Sequence, residues 1–186
     1  MTKALIAMSG GVDSSVAANL MKDNGYDCIG CTMKLHGNDV ESEVDSHTCC
    51  TLEDVEDARS VAFGLGIPYY VFNFSDGFKE KVIDKFVASY EQGKTPNPCI
   101  DCNHYLKFEK LLMRARELSC DYLVTGHYAQ IEYDGEKYLL KKAADETKDQ
   151  SYVLYLLTQE QLAHTLFPLG GMTKKQVREL AAQHGF

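Results

Sequence analysis

The stretch Ser9-Gly10-Gly11-Val12-Asp13-Ser14-Ser15 decides how this chain is read. It follows an apolar, strand-like run, Ala4 to Met8, and precedes a helix-like run, Val16 to Met21. A glycine turn between a strand and a helix aims backbone N–H groups at an anion, and the helix dipole adds partial positive charge there. Two adjacent glycines let the backbone come close to a phosphate, and the serine hydroxyls supply further donors. A carboxylate cannot bind phosphate directly, so Asp13 is expected to partner Mg²⁺. No Lys-Ser or Lys-Thr closes the loop as in a Walker A motif, and the GxGxxG dinucleotide fingerprint is absent.

Working outward, strand-like and helix-like runs alternate, which predicts an α/β fold: a doubly wound parallel sheet covered on both faces. Strands are expected at residues 4–8, 27–33, 68–74 and 122–125. Helices are expected at 14–24, 51–65, 75–91 and 104–118, with Thr51 and Asp54 as a capping pair. Residues 36–50 are acidic and irregular and read as a loop. Residues 129–133 and 137–142, joined through Asp134-Gly135, read as a small hairpin. Short helices are expected at 152–157 and 159–166, then a linker through Pro168 to Gly171 and a last helix at 174–184 capped by Thr173. The domain expectation is a nucleotide-binding unit over residues 1–166. Residues 167–186 would be a linker and the truncated start of a helical central domain, because the last helix is expected to have little to pack against.

Composition bounds the function. The 186 residues, 45% of them hydrophobic, suffice for one domain with a sizeable core. No apolar run approaches the ~18 residues of a membrane span, and a phosphate loop starting at residue 9 leaves no room for a leader, so a cytoplasmic location is expected. Seven cysteines, an odd count, argue for a reducing compartment with some thiols in use. The net charge of −8 weighs mildly against nucleic acid, yet acid concentrates between Asp39 and Asp57 while basic residues recur from Lys94 to Arg178, so a local basic face is compatible with it.

A second stretch, Gly93-Lys94-Thr95-Pro96-Asn97-Pro98-Cys99-Ile100-Asp101-Cys102-Asn103, points to sulfur. Two prolines stiffen the loop and exclude helix before Cys99. Cys102 is expected near the N-terminus of the next helix, where a thiol gains thiolate character. A Cys-x-x-Cys can be a redox pair, half a metal site or a catalytic site; Cys49-Cys50 would complete four metal ligands only with poor spacing. Cys28, Cys31 and Cys120 lie in or beside strands and read as packing residues.

The phosphate loop resembles the PP-loop of the ATP pyrophosphatases, which split ATP between the α and β phosphates. The ordered series SGGVDSS, TCC-TLEDVEDAR, GKTPNPCIDCN-HYLKF, TGHYAQIE, KDQSYVLYLL and FPLG resembles the tRNA-uridine 2-sulfurtransferase family, the wobble-uridine 2-thiolases. The resemblance covers the whole chain and looks like the N-terminal half of such an enzyme. It implies an adenine nucleotide α-hydrolase-like fold, ATP and Mg²⁺ as cofactors, and tRNA as substrate. It also implies a cysteine desulfurase or sulfur-relay protein as persulfide donor. The implied chemistry is adenylation of the uracil C2 oxygen followed by sulfur transfer.

The resemblance also implies roles for individual residues. Ala7, Met8, Ser9, Gly10, Gly11, Val12, Asp13, Ser14, Met33 and Gly126 line the ATP site, Gly126 admitting the nucleotide by lacking a side chain. Cys102 is the nucleophile, meeting a persulfide on a second cysteine and ending in a disulfide. Asn97, Pro98 and Cys99 contact the target base, and His127, Lys148, Asp149 and Gln150 contact tRNA. Some relatives carry aspartate at Cys99, so no carboxylate role transfers. Read from the residues alone, His127 is equally a structural histidine, and Asp149 and Gln150 equally hold a loop. Tyr128 and Tyr152 could stack on bases but more often such tyrosines are core. The family's persulfide cysteine lies beyond FPLG, and no cysteine follows Cys120, so the chain alone is expected not to complete sulfur transfer. The alternatives are an ammonia-using PP-loop ligase, an iron–sulfur or metal-dependent tRNA thiolase using Cys99 and Cys102, and a non-catalytic nucleotide- or RNA-binding module.

Overall fold

A computed structural model describes residues 1–36 and 51–186; the loop expected at 36–50 and the Cys49-Cys50 pair lie outside the described residues except for His36. Strand β1 (Lys3–Ala7) is the centre of a five-stranded, all-parallel sheet. On one side stand β2 (Asp27–Lys34) and β3 (Tyr69–Asn73), on the other β4 (Tyr122–Val124) and β7 (Thr165–Leu166), giving the order β3-β2-β1-β4-β7. Leu5 is registered between Ile29 and Leu123, and Ile6 between Gly30 and Val124.

Alternation along β1 builds two cores, since successive side chains leave opposite faces of a strand. Leu5, with Ile29 and Leu123, packs on one face beneath Leu106, Leu111, Leu112 and Ala115. Those four belong to helix α4, wound in three segments, Pro98–Asp101, Cys102–Leu111 and Leu112–Glu117, the middle one π-wound. Val82 joins the same core from α3, which runs through Ser75–Phe78, Lys79–Ile83 and Asp84–Glu91. Ala4, Ile6, Cys28 and Val124 face the other way, against Ala18 and Met21 of α1 (Val12–Asp23) and Ala58 and Ala62 of α2 (Leu52–Gly64). Both faces of the sheet are thus covered, as parallel sheets require, and the expected doubly wound architecture is the observed one. The Thr51–Asp54 capping box starts α2 as read. The hairpin forms from β5 (Ala129–Tyr133) and β6 (Tyr138–Lys142). Among the described residues no helix is long and apolar enough to cross a membrane.

Three local expectations change. The expected helix at 159–166 stops at Ala163 (α5, Gln159–Ala163), and Thr165 and Leu166 instead pair with Leu123 and Val124 as the fifth strand; a sheet edge outweighs helical propensity there. The expected helix at 152–157 contracts to a single turn, Ser151–Val153. The last helix, α6 (Lys174–His184), is not short of a partner: Val177 and Ala181 pack with Val16 and Ala17 of α1, together with Leu169 and Tyr128. A division at residue 167 therefore falls inside one apolar cluster. Replacing the fully buried Leu169 by alanine should cost about 2–5 kcal/mol while keeping a single urea transition. A second, separate transition would show that residues 167–186 fold apart from the sheet.

Candidate functional site

Strand order reverses at β1, whose two neighbours β2 and β4 lead away in opposite directions. In open α/β sheets the crevice at such a point, beyond the carboxyl ends of the strands, is where ligands sit. Ala7 ends β1, Met33 lies near the end of β2, and Gly126 follows β4 by one residue beyond Thr125. All ten residues expected at the nucleotide are brought to this end of the sheet or to the loop above it, though Met8 and Met33 are buried in the cores beneath.

The loop braces itself. Ser14 Oγ donates to the Gly11 carbonyl at 2.9 Å and accepts the Ser9 N–H at 3.1 Å. Ser15 Oγ donates to the same carbonyl at 3.2 Å. The helix N-cap is Gly11, with no side-chain cap, so no serine competes for the first-turn N–H groups, which lack intrahelical acceptors. Gly10 adopts φ +76°, and a Cβ on it would lie 2.5 Å from the Asp54 carbonyl oxygen of α2. A Cβ on Gly126 would lie 3.1 Å from the Asp13 carbonyl carbon and the Ser14 nitrogen. Gly126 therefore admits the loop's own backbone; the resemblance had implied room for the nucleotide.

Asp13 departs most from expectation. Lys174 Nζ contacts its two carboxylate oxygens at 2.6 and 2.7 Å, and Tyr128 Oη donates to it at 2.9 Å. Burial and this bond to Asp13 raise the Tyr128 hydroxyl above its usual range, so it stays a donor. Both Asp13 oxygens are engaged and its charge is met by an ammonium, so the arrangement does not fit Asp13 as a Mg²⁺ ligand. Among the described residues no three His, Cys, Asp or Glu gather as a metal set. The sequence reading missed Lys174, and a signal was there: lysine in the first turn of a helix opposes the helix dipole and asks for a nearby anion.

The sulfur stretch is also rearranged. Helix α4 begins at Pro98, with Asn97 as its N-cap accepting the Cys99 N–H at 3.0 Å. Proline suits a first helical position and asparagine a cap, so the exposed Cys99 occupies the first turn and the half-buried Cys102 the second, correcting the placement of Cys102 at a helix start. Cys102 packs against the apolar cluster that also takes in Ala7 and Met33. Cys28, Cys31 and Cys120 are buried free thiols. Burial pushes Cys28 up to about 11 and raises the other two as well.

The expected tRNA contacts divide. His127 is buried, bonded through Nδ1 to Thr125 Oγ1 at 2.7 Å and set between the Phe108 and Phe167 rings. Burial lowers its pKa well below 6.5; it is an interior, neutral histidine, which corrects its assignment to a contact surface. Gln150 exchanges bonds with the Tyr128 backbone, its Oε1 accepting the N–H at 3.0 Å and its own N–H reaching the carbonyl at 2.9 Å. Asp149 accepts the Ala143 N–H at 2.9 Å and the Ser151 hydroxyl at 2.7 Å. Its slight burial works to raise the carboxyl, but these donors outweigh it and hold the pKa low. Both side chains hold the loop, while Lys148 is exposed. Tyr128 is core, whereas Tyr152 is 60% exposed.

With this geometry in place, comparison decides the family: the sequence model of the tRNA methyl transferase HUP domain matches residues 2–186. The chain belongs to that family. It is 56% identical over 183 residues to the tRNA-specific 2-thiouridylase MnmA of Clostridium beijerinckii, covering 98% of this chain and 51% of that protein. It is 57% identical over 185 residues to the MnmA of Clostridioides difficile, again covering 98% and 51%. The chain thus spans about half the length of the curated relatives it matches. Among solved structures it resembles a predicted subunit of tRNA methyltransferase from Methanocaldococcus jannaschii, with TM-score 0.59 and 19% identity over 98% of this chain and 75% of that one. It also resembles a 4-thiouridine synthetase solved with RNA and ATP, with TM-score 0.57 and 18% identity over 99% and 41%. At these identities the structures support the PP-loop, HUP-type fold alone.

Two outcomes follow from the buried groups. Brief alkylation of the native chain at pH 8 should label Cys99 and Cys102, with Cys28, Cys31 and Cys120 labelled only after unfolding, as read by peptide mass analysis. The His127 pKa is lower in the folded state, so its contribution to stability is present above the unfolded value of about 6.5 and lost as pH falls toward the folded value. Urea titrations of wild type and His127→Gln across pH 5–8 should show that this slope belongs to His127.

Proposed function

We propose that this chain is the ATP-binding and adenylating part of a tRNA-uridine 2-sulfurtransferase. The observation that carries the reading is one of position: an uncapped helix N-terminus and glycine loop open at the sheet's switch point, and the Cys99–Cys102 turn packs on the same apolar cluster as the strand ends beneath that loop. An anion cradle and a thiol helix thus bear on one apolar core.

In this reading the first-turn N–H groups of α1 hold the ATP phosphates and orient the α-phosphorus. The uracil C2 oxygen forms a bond to that phosphorus and the bond to the leaving pyrophosphate breaks. Adenylation turns a poor leaving oxygen into a good one, the usual logic of splitting a hard substitution into two steps. Sulfur then attacks C2, and AMP departs with the oxygen. That sulfur is the sulfide set free when Cys102 attacks the inner sulfur of a persulfide on a second cysteine, loaded by a cysteine desulfurase or relay protein: the persulfide S–S bond breaks and a disulfide forms with Cys102. Asn97, Pro98 and Cys99 border the base. Lys148, exposed beside the loop that Asp149 and Gln150 hold, meets RNA phosphate. Mg²⁺ would accompany the nucleotide's phosphates; Asp13 is occupied.

The 56% identity to a tRNA-specific 2-thiouridylase over 98% of this chain supports the thiolase over an ammonia-using ligase. The test is pyrophosphate release by the full protein with and without unmodified tRNA, with mass analysis of the tRNA. Release stimulated by tRNA, with one oxygen replaced by sulfur at a uridine, is expected. Cys102→Ser should keep tRNA-dependent pyrophosphate release while lowering thiolation at least 100-fold. Release indifferent to tRNA, or full turnover by Cys102→Ser, would instead identify a PP-loop ligase of another kind.

A further inference from the structure

The Cys99–Cys102 turn carries a charge that the proposed reaction has not used. Asp101 stands in the first turn of α4, one residue before Cys102, and Lys85 Nζ of α3 meets its carboxylate at 2.5 Å. Among the ion pairs of the described residues this carboxylate is the most shielded. Its side chain is 13% exposed, against 34% for Asp13 and half or more for every other paired acid. The lysine is held over the Tyr105 ring, 5.4 Å from its centre. Its bond to Asp101 raises the Lys85 pKa, so the ammonium stays charged; Tyr105 and Tyr155 are the other titratable side chains that bear on it. The Asp84–Glu91 segment that carries Lys85 buries no side chain. Core packing therefore does not explain why this lysine is brought to the sulfur turn.

An electrostatic conflict gives the pair a purpose. An acid in the first turn of a helix suits the helix dipole. Yet a thiol reacts as its thiolate, and an uncompensated carboxylate nearby disfavours that second anion. Water and salt would screen two exposed charges, but Asp101 is largely withdrawn from both. Cys102 is half-buried against the apolar cluster and is little better screened. We infer that Lys85 is a positioning residue for sulfur transfer: by neutralising Asp101 it keeps the Cys102 thiolate available for attack. In that attack the Cys102 sulfur bonds the inner sulfur of the persulfide, the persulfide S–S bond breaks and sulfide leaves. Lys85 touches neither base nor nucleotide in this role; it acts through Asp101. The inference rests on the reading of Cys102 as the nucleophile and adds the cation that makes an acid tolerable beside it.

The experiment measures the rate of Cys102 alkylation by iodoacetamide at pH 7, read by peptide mass analysis. It compares wild type, Lys85→Met, Lys85→Arg, Asp101→Asn and the double variant Lys85→Met/Asp101→Asn, with thermal midpoints as a check of folding. Lys85→Met should slow the reaction about 3-fold or more, because less of the thiol is ionised. Lys85→Arg should stay within about 2-fold of wild type, and Asp101→Asn should react at least as fast as wild type. The double variant should recover the wild-type rate, since the charge that Lys85 offsets is gone. In the full protein, the single-turnover rate of tRNA thiolation should fall in Lys85→Met and return in the double variant. Four results would overturn the proposal: an unchanged or faster rate in Lys85→Met, a slower rate in Asp101→Asn, no recovery in the double variant, which would make Lys85 a brace of the turn only, or thiolation indifferent to Lys85→Met. Alkylation needs neither ATP, tRNA nor a sulfur donor, so it is read apart from the thiolase assignment. Full turnover by Cys102→Ser would defeat that assignment, and with it any use of the tuned thiol, whatever the alkylation rates.

Discussion

Close backbone approach is the constraint on which the rest of this structure depends. The loop at residues 9–15 touches the start of α2 through Gly10, where a Cβ would collide with main-chain atoms, and the segment after β4 through Gly126, where a Cβ would be tightly crowded by them. Main chain cannot yield as the tip of a flexible side chain can, so these contacts fix where α1 begins. Once that point is fixed, the first-turn N–H groups face the crevice between β1 and β4, and the helix dipole is aimed by the sheet. The small residues are needed for assembly of the cradle before any ligand enters it.

Around that point the fold distributes its charges economically. Asp13, the loop's carboxylate, is matched by Lys174 and steadied by Tyr128. Tyr128 is in turn held by Gln150 through both of its main-chain groups. Asp149 ties the same loop to Ala143. A chain of hydrogen bonds thus runs from the phosphate loop to the stretch that the family resemblance links with tRNA. This gives Asp149 and Gln150 a structural task whatever they touch in RNA, and it explains why a short polar run, ordinary as a sequence, is ordered.

The two thiol classes differ for a plain reason of solvation. Cys28, Cys31 and Cys120 sit where the charged thiolate would lose its water, and their pKa values rise accordingly. Cys99 and Cys102 lie on a helix whose start projects from the core, held there by an asparagine cap and a proline that cannot be extended backwards. Cysteines buried in or beside the strands and the more accessible pair on the first turns of α4 thus differ in how much water reaches them.

Much of this was legible without coordinates. The apolar run of β1, the glycine loop, the Thr51 and Thr173 caps and the hairpin are local patterns, and each is written in a few consecutive residues whose conformational preferences agree. Pro98 and Asn97 carried the true start of α4, a signal obscured by reading the prolines only as helix breakers. Partnership across the chain was not legible. That Thr165 and Leu166 would serve a sheet edge, that His127 would be enclosed by Phe108 and Phe167, and that Lys174 would reach Asp13 all depend on where distant segments come to rest. Local sequence sets what a segment can form; only packing against the β1-centred sheet sets which buried group meets which charge, because burial and pairing energies belong to neighbours that the linear order does not name.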